Sequence, residues 1–205
     1  MNNGFRAARG AAPRRLSRAL WGRPGRARPL ALALGILVLW FVPGPALAQN
    51  IAIDAFYGHW SGTGVSESNI SLYFRLTSRD LDVSIQARGT GFVVDWTTVQ
   101  RQRGNPDDPT PVRKGTAIEF VPSGMPGVWR AADAADPLSG QRYAWVRIKD
   151  QTLTVHSLVI DGEGGYEMQI YHRTLTGLGM ELEFAAFRNG EARRTAKGRL
   201  VKVGD

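Results

Sequence analysis

The stretch M180-E-L-E-F184 alternates apolar and acidic side chains over five residues. Because successive side chains of a β-strand point to opposite faces, this pattern predicts a strand with Met180, Leu182 and Phe184 buried and the two glutamates in water. A strand with one buried and one solvated face is typical of antiparallel sheets. The stretch therefore predicts antiparallel β structure around it.

The same two-residue period recurs on both sides of this stretch, in L81-D-V-S-I85, F92-V-V-D-W-T-T98 and Y166-E-M-Q-I-Y-H172. Short turn sequences separate these runs, and Asn189-Gly190 is the strongest of them because both residues accept the positive φ of a type I′ turn. We expect strands near residues 57–65, 69–77, 80–88, 92–102, 115–121, 127–131, 142–149, 151–160, 166–174, 178–187 and 193–203, some of which merge.

A meander of this kind removes its exposed edges most easily by closing on itself. The sequence therefore predicts an all-β fold, a single antiparallel meander barrel of roughly 8–10 strands, with a β-sandwich as the alternative. Two Pro/Asp-rich stretches, R103-G-N-P-D-D-P-T-P-V112 and A131-A-D-A-A-D-P-L-S-G140, have no periodicity and predict loops at the barrel mouth.

Residues 1–48 differ from the rest of the chain, since they hold eight arginines and no acidic residue. The apolar run L30-A-L-A-L-G-I-L-V-L-W-F-V42 follows the basic part and precedes A46-L-A48. This order predicts a helical signal peptide, cleaved after Ala48 or retained as an anchor, before a barrel domain at 49–205. The apolar run is shorter than the ~20 residues of a spanning helix, which favours cleavage. We expect an exported protein, periplasmic or extracellular in a bacterium.

The basic character of the chain belongs to this leader. The formal net charge is +8, and the eight leader arginines account for it, so residues 49–205 are neutral. A neutral domain lacks the basic field that steers nucleic acid, so nucleic acid is excluded as a partner. Contact with a membrane is expected only through the N-terminal segment. The chain has no cysteine, so the core is expected to hold the fold without disulfides.

The stretch Y57-G-H-W-S-G-T-G64 opens the first strand. Gly58-x-Trp60 resembles the G-x-W of lipocalins and the wider calycin group. The longer Gly58-x-Trp60-x-Gly62-x-Gly64 is similar to the nitrobindin-like haem-binding barrels. The resemblance implies a calycin-like barrel with Trp60 plugging its closed end and the glycines letting the strand coil. The nitrobindin-like pattern also implies haem with an axial histidine on a late strand, for which His172 is the candidate.

No catalytic residue is predicted. The histidines His59, His156 and His172 lack the spacing of a zinc site, and the sequence has no G-x-S-x-G nucleophile elbow. His172 ends the alternating run that begins at Tyr166, and the period predicts that it points into the barrel. An inward histidine is either a hydrogen-bonded core residue or a ligand of iron or another metal.

We expect a non-catalytic module, without a cofactor, that binds a small apolar or amphipathic ligand. The predicted pocket is lined by inward residues of the central strands, namely Phe92, Val94, Trp96, Met168, Ile170 and Phe184. Three alternatives remain open: a haem-binding barrel that uses His172, an enzyme on the same barrel, and a filled barrel that acts as a structural or interaction protein of the envelope.

Overall fold

Ten antiparallel strands close into a barrel in the computed structural model, which describes residues 50–71, 75–100 and 110–205. The strands are β1 (Gly58–Ser68), β2 (Leu76–Arg88), β3 (Gly91–Gln100), β4 (Val112–Pro122), β5 (Val128–Ala131), β6 (Tyr143–Lys149), β7 (Thr152–Ile160), β8 (Tyr166–Thr176), β9 (Gly179–Arg188) and β10 (Glu191–Gly204). Each strand pairs with its chain neighbours, and β1 pairs with β10. The predicted all-β meander barrel is confirmed, and the sandwich alternative is wrong.

Helix contributes little to the described part of the chain. Two short 3-10 helices, Ile53–Phe56 and Pro137–Ser139, lie there. None of the described helices has the length and hydropathy of a transmembrane segment. The predicted signal peptide at 1–48 lies outside the described residues, as does the part of the first Pro/Asp-rich loop up to residue 109.

The strand boundaries follow the turn chemistry, with one correction. Asn189 (φ 50°) and Gly190 (φ 84°) form the predicted hairpin between β9 and β10. The break expected between the strands at 69–77 and 80–88 is wrong, because β2 runs through it: Thr77 pairs with Ser66 and Arg79 with Gly64. The polar residues at 77–79 have the composition of a turn, but they alternate along a strand whose inward face is polar at that end.

The barrel is closed at one end by aromatic packing. Phe56 of the first 3-10 helix is fully buried, and the Trp60 indole N–H donates a hydrogen bond to its carbonyl oxygen at 3.0 Å. The Phe92 ring lies 5.6 Å from that of Phe120 and 5.3 Å from that of Trp129. Trp60 therefore lies at the closed end and ties the chain before β1 to the core.

The seam between β1 and β10 leaves no room for side chains at two glycines. Gly58 adopts φ +129°, a conformation that residues with a Cβ rarely adopt. A Cβ on Gly62 would overlap the Arg199 carbonyl oxygen and lie 2.8 Å from the Leu200 Cα. Both contacts are with backbone, so a rotamer change cannot relieve them.

We predict that Gly62→Ala lowers the free energy of unfolding by about 1–3 kcal/mol, because the added methyl must push β10 away from β1. Gly115→Ala is the matched control, since a Cβ there would lie 3.4 Å from the Thr97 hydroxyl, an ordinary contact. Urea unfolding followed by circular dichroism measures both. Equal stabilities of the two variants would contradict the tight seam.

Candidate ligand-binding cavity

A cavity of about 250 Å³ lies inside the barrel, further along β1 than Trp60. Its walls come from β1, β2, β3, β4, β8, β9 and β10, with residues that include Ser66, Leu81, Val83, Thr116, Leu182 and Ala196. Small and apolar side chains thus line much of it. Its lining also includes many polar and charged groups, so the cavity could hold a small molecule that has both apolar and polar parts.

Three aromatic side chains from different strands form what we call the aromatic floor of the cavity: Trp96, Tyr171 and Phe184. The ring of Tyr171 lies 5.0 Å from that of Trp96 and 4.7 Å from that of Phe184, so the three form a continuous cluster. The Tyr171 hydroxyl donates a hydrogen bond to the Gln169 side-chain oxygen at 2.8 Å. Burial raises the pKa of Tyr171, so the phenol stays protonated near neutral pH.

Arg173 lies against this floor and is fully buried. Its guanidinium carbon is 5.2 Å from the centre of the Trp96 ring and 5.4 Å from that of Tyr171, which are cation–π distances. Among the described residues, no acceptor forms a hydrogen bond with its Nε, Nη1 or Nη2. Burial lowers the pKa of Arg173 to about 10, so the side chain is a cation at neutral pH. The described surroundings of this charge include ring faces but no anion.

Three more cations line the cavity itself: Arg79, Lys114 and Arg194. Arg79 donates a hydrogen bond from Nη2 to the Gln100 side-chain oxygen at 3.0 Å. Burial, and then the positive charge of Arg194, lowers the pKa of Arg79. Within the described part of the chain, none of the three forms an ion pair. The cavity wall is therefore positively charged.

The predicted lining residues divide into three groups. Trp96 and Phe184 line the cavity. Phe92 and Val94 are fully buried in the core and do not line it. Met168 and Ile170 are half-buried on the outer face of β8.

The predicted inward face of β8 is wrong, because the odd-numbered residues face the interior. Tyr171 pairs with Phe184 and Arg173 with Leu182, and all four belong to the interior. The prediction fails because the apolar residues of β8 lie on its outer face and the polar ones on its inner face. The outer face carries Met168 and Ile170, whereas the inner face carries Gln169, Tyr171 and Arg173.

The sequence contains one signal that assigns the inner and outer faces of β8 correctly. The clean alternation of β9 places Met180, Leu182 and Phe184 inward, as predicted and as observed. A two-residue turn between Thr176 and Gly179 then sets the register of the hairpin and pairs Tyr171 with Phe184. Because directly opposed residues share a face, the hairpin assigns the odd positions of β8 to the interior.

His172 lies on the outer face and is exposed. Its Nδ1 lies 2.9 Å from the Thr154 hydroxyl oxygen, within hydrogen-bond distance. His59 is also exposed on the outside, and His156 stacks on Trp145 with ring centres 4.5 Å apart. None of the three histidines lines the cavity, so the residues present do not fit a haem held in the interior through His172. No three His, Asp or Glu side chains converge as metal ligands within the described ranges.

We predict that Arg173→Met raises the free energy of unfolding by about 1–4 kcal/mol, because an apolar side chain of similar length replaces a buried, unpaired cation. Burial lowers the folded-state pKa from its ordinary value to about 10, so the penalty is present below about pH 10 and is relieved as the pH rises above it. Arg147→Met, at an exposed outer position of β6, is the control. Denaturant unfolding at pH 7 measures both. A less stable Arg173→Met would show that the guanidinium is paired in the folded protein.

No protein-family model matches the sequence, and no curated protein is similar to it. Among solved structures, the chain is similar to the S-type phycobiliprotein lyase CPES from Guillardia theta, with 8% sequence identity and a TM-score of 0.34. The alignment covers 74% of this chain and 93% of the lyase. A likeness at this level of identity concerns the fold alone.

Proposed function

We propose that this protein is a non-catalytic barrel that binds a small amphipathic ligand in its interior. The observation that carries the proposal is the cavity of about 250 Å³ with an aromatic floor and polar groups around it. Protein interiors are close-packed, and voids larger than a water molecule are few. A space of this size, lined by Trp96 and Phe184, fits a ligand better than a purely structural, filled barrel.

The lining indicates how a ligand would bind. Trp96, Tyr171 and Phe184 offer broad apolar surfaces to the hydrophobic part of a molecule. The hydroxyl of Thr98 and the guanidinium of Arg79 offer hydrogen bonds to a polar part. The cavity lies just below the roughly 300–1,000 Å³ of typical ligand sites, so the ligand is compact or extends through the opening.

The leader at 1–48 supports an exported location, which is part of this proposal. Its basic start, short apolar run and Ala-x-Ala ending direct a chain out of the bacterial cytoplasm. An exported binding protein would meet its ligand in the periplasm or outside the cell. The haem alternative is not part of this proposal, because none of the three histidines lines the cavity.

A variant whose larger side chain fills the cavity tests this function. We predict that the purified protein binds the neutral fluorophore N-phenyl-1-naphthylamine saturably, and that Ala196→Phe weakens this binding about tenfold or more, which is about 1.4 kcal/mol. Ala196 lines the cavity, so the larger ring would occupy the ligand's space. Fluorescence titration measures the affinity.

Ala185→Phe is the matched control, because Ala185 is half-buried on the outer face of β9 opposite Ile170. It should bind the fluorophore as the unchanged protein does. Equal affinities of the two variants would place the probe outside the cavity. Absence of saturable binding to the unchanged protein would contradict the proposed function.

A further inference from the structure

We infer that the ligand is an amphipathic anion whose carboxylate or phosphate group binds between Arg79 and Arg194, with its apolar part on the aromatic floor. This inference rests on the proposed interior binding and adds the chemical class of the ligand. It is carried by the arrangement of positive charges inside the barrel.

The two arginines approach the same space from either side of β1. Arg79 pairs with Gly64 of β1, and Arg194 pairs with Ser68 of the same strand. Both side chains are half-buried and both line the cavity. Ser66 lies between these two positions on β1 and lines the cavity with a small side chain. Burial, and then the positive charge of Arg194, lowers the pKa of Arg79, as expected for two cations that line one cavity.

The interior arginines differ from those on the outer surface. Outside, Arg88 lies 3.6 Å from Glu119, Arg188 lies 3.5 Å from Asp161 and Arg199 lies 3.7 Å from Glu181. Inside, among the described residues, Arg79 and Arg194 have no carboxylate partner, and Arg79 donates its hydrogen bond to the neutral amide of Gln100. In the described part of the chain, ion pairs are thus common for exposed arginines and missing for the half-buried Arg79 and Arg194.

The described acidic residues around the cavity do not neutralise the positive charge of its lining. Asp82 is the one acidic residue among the described lining residues, and it occupies an outward register position between Leu81 and Val83. Glu167 accepts a hydrogen bond from Gln169 at 2.6 Å and does not line the cavity. A space that gathers cations without an inward carboxylate attracts an anion from solution.

Arg173 adds a further positive charge behind the aromatic floor. It is fully buried, its three nitrogens have no acceptor among the described residues, and Trp96 and Tyr171 lie against it. Lys114 adds a charge from β4, where it is exposed at the wall of the cavity. Three cations therefore line the cavity and a fourth, Arg173, lies behind the rings of Trp96 and Tyr171. A bound anion would offset their mutual repulsion.

Guanidinium chemistry indicates the kind of anion. Each planar fork donates two parallel N–H bonds, which match the oxygens of a carboxylate or a phosphate. Two guanidinium groups that face one space bind a single oxyanion more strongly than a neutral hydroxyl. The apolar body of the ligand would then extend toward Trp96 and Phe184, which lie deeper in the same cavity.

Three ligands with the same ten-carbon chain test this inference: decanol, decanoate and decyl phosphate. Each competes with N-phenyl-1-naphthylamine for the purified protein at pH 7.5 and low salt. We predict that at least one of the two anions displaces the fluorophore at a concentration on the order of tenfold lower than decanol does. Stronger competition by decanoate would identify a carboxylate ligand, and stronger competition by decyl phosphate a phosphate ester.

Variants assign the effect to the two arginines. In Arg79→Gln and in Arg194→Gln, the preference for the anion over decanol should fall on the order of tenfold. Arg199→Gln, which removes an arginine from the outer face beside Glu181, should keep the full preference. A preference that survives in both interior variants would overturn the assignment to these residues.

The failure of this inference can be told apart from the failure of the proposed function. If the fluorophore binds and all three ligands compete equally, the proposed interior site is retained and the inference of an anionic ligand is wrong. If neither the fluorophore nor any of the three ligands binds, both the proposed function and this inference are wrong.

Discussion

The pairing of β1 with β10 is the contact on which the interior of this protein depends. It runs from His59 with Gly204 to Ser68 with Arg194 and closes the meander, so no strand edge is left unpaired there. Gly62 permits the two backbones to approach, because any side chain at that position would overlap the backbone of β10. The same closure brings Arg79 and Arg194, on the strands that flank β1, around one space.

One part of the barrel interior stabilises the fold, and another part reduces its stability. Toward the closed end, Phe56, Trp60 and Phe92 pack as a dry core that stabilises the fold. Further along the barrel, cations replace apolar side chains, and the fully buried Arg173 has no described anion beside it. A buried, unpaired charge reduces stability, and the anion proposed above would offset part of this cost.

The polarity of β8 shows why a two-residue period can mislead. Hydrophobic alternation predicts which residues share a face, and it did so correctly for Met168 and Ile170. It assigns that face to the interior only if the interior is apolar and the surface polar. Here the inner face of β8 carries Gln169 and Arg173, and the outer face carries the apolar pair. A cavity lined by polar groups therefore inverts the expected assignment.

The sequence alone determined the all-β class, the meander and most of the turns, because these depend on local patterns such as the alternation at 180–184 and the Asn189-Gly190 turn. It also indicated Trp96 and Phe184 as inward residues. The tertiary structure decided the rest of the site: which face of β8 is inside, that His172 lies outside, and that Arg79, Arg173 and Arg194 share one interior. These three arginines are far apart in the chain, and their meeting depends on strand register and barrel closure, which no local pattern contains.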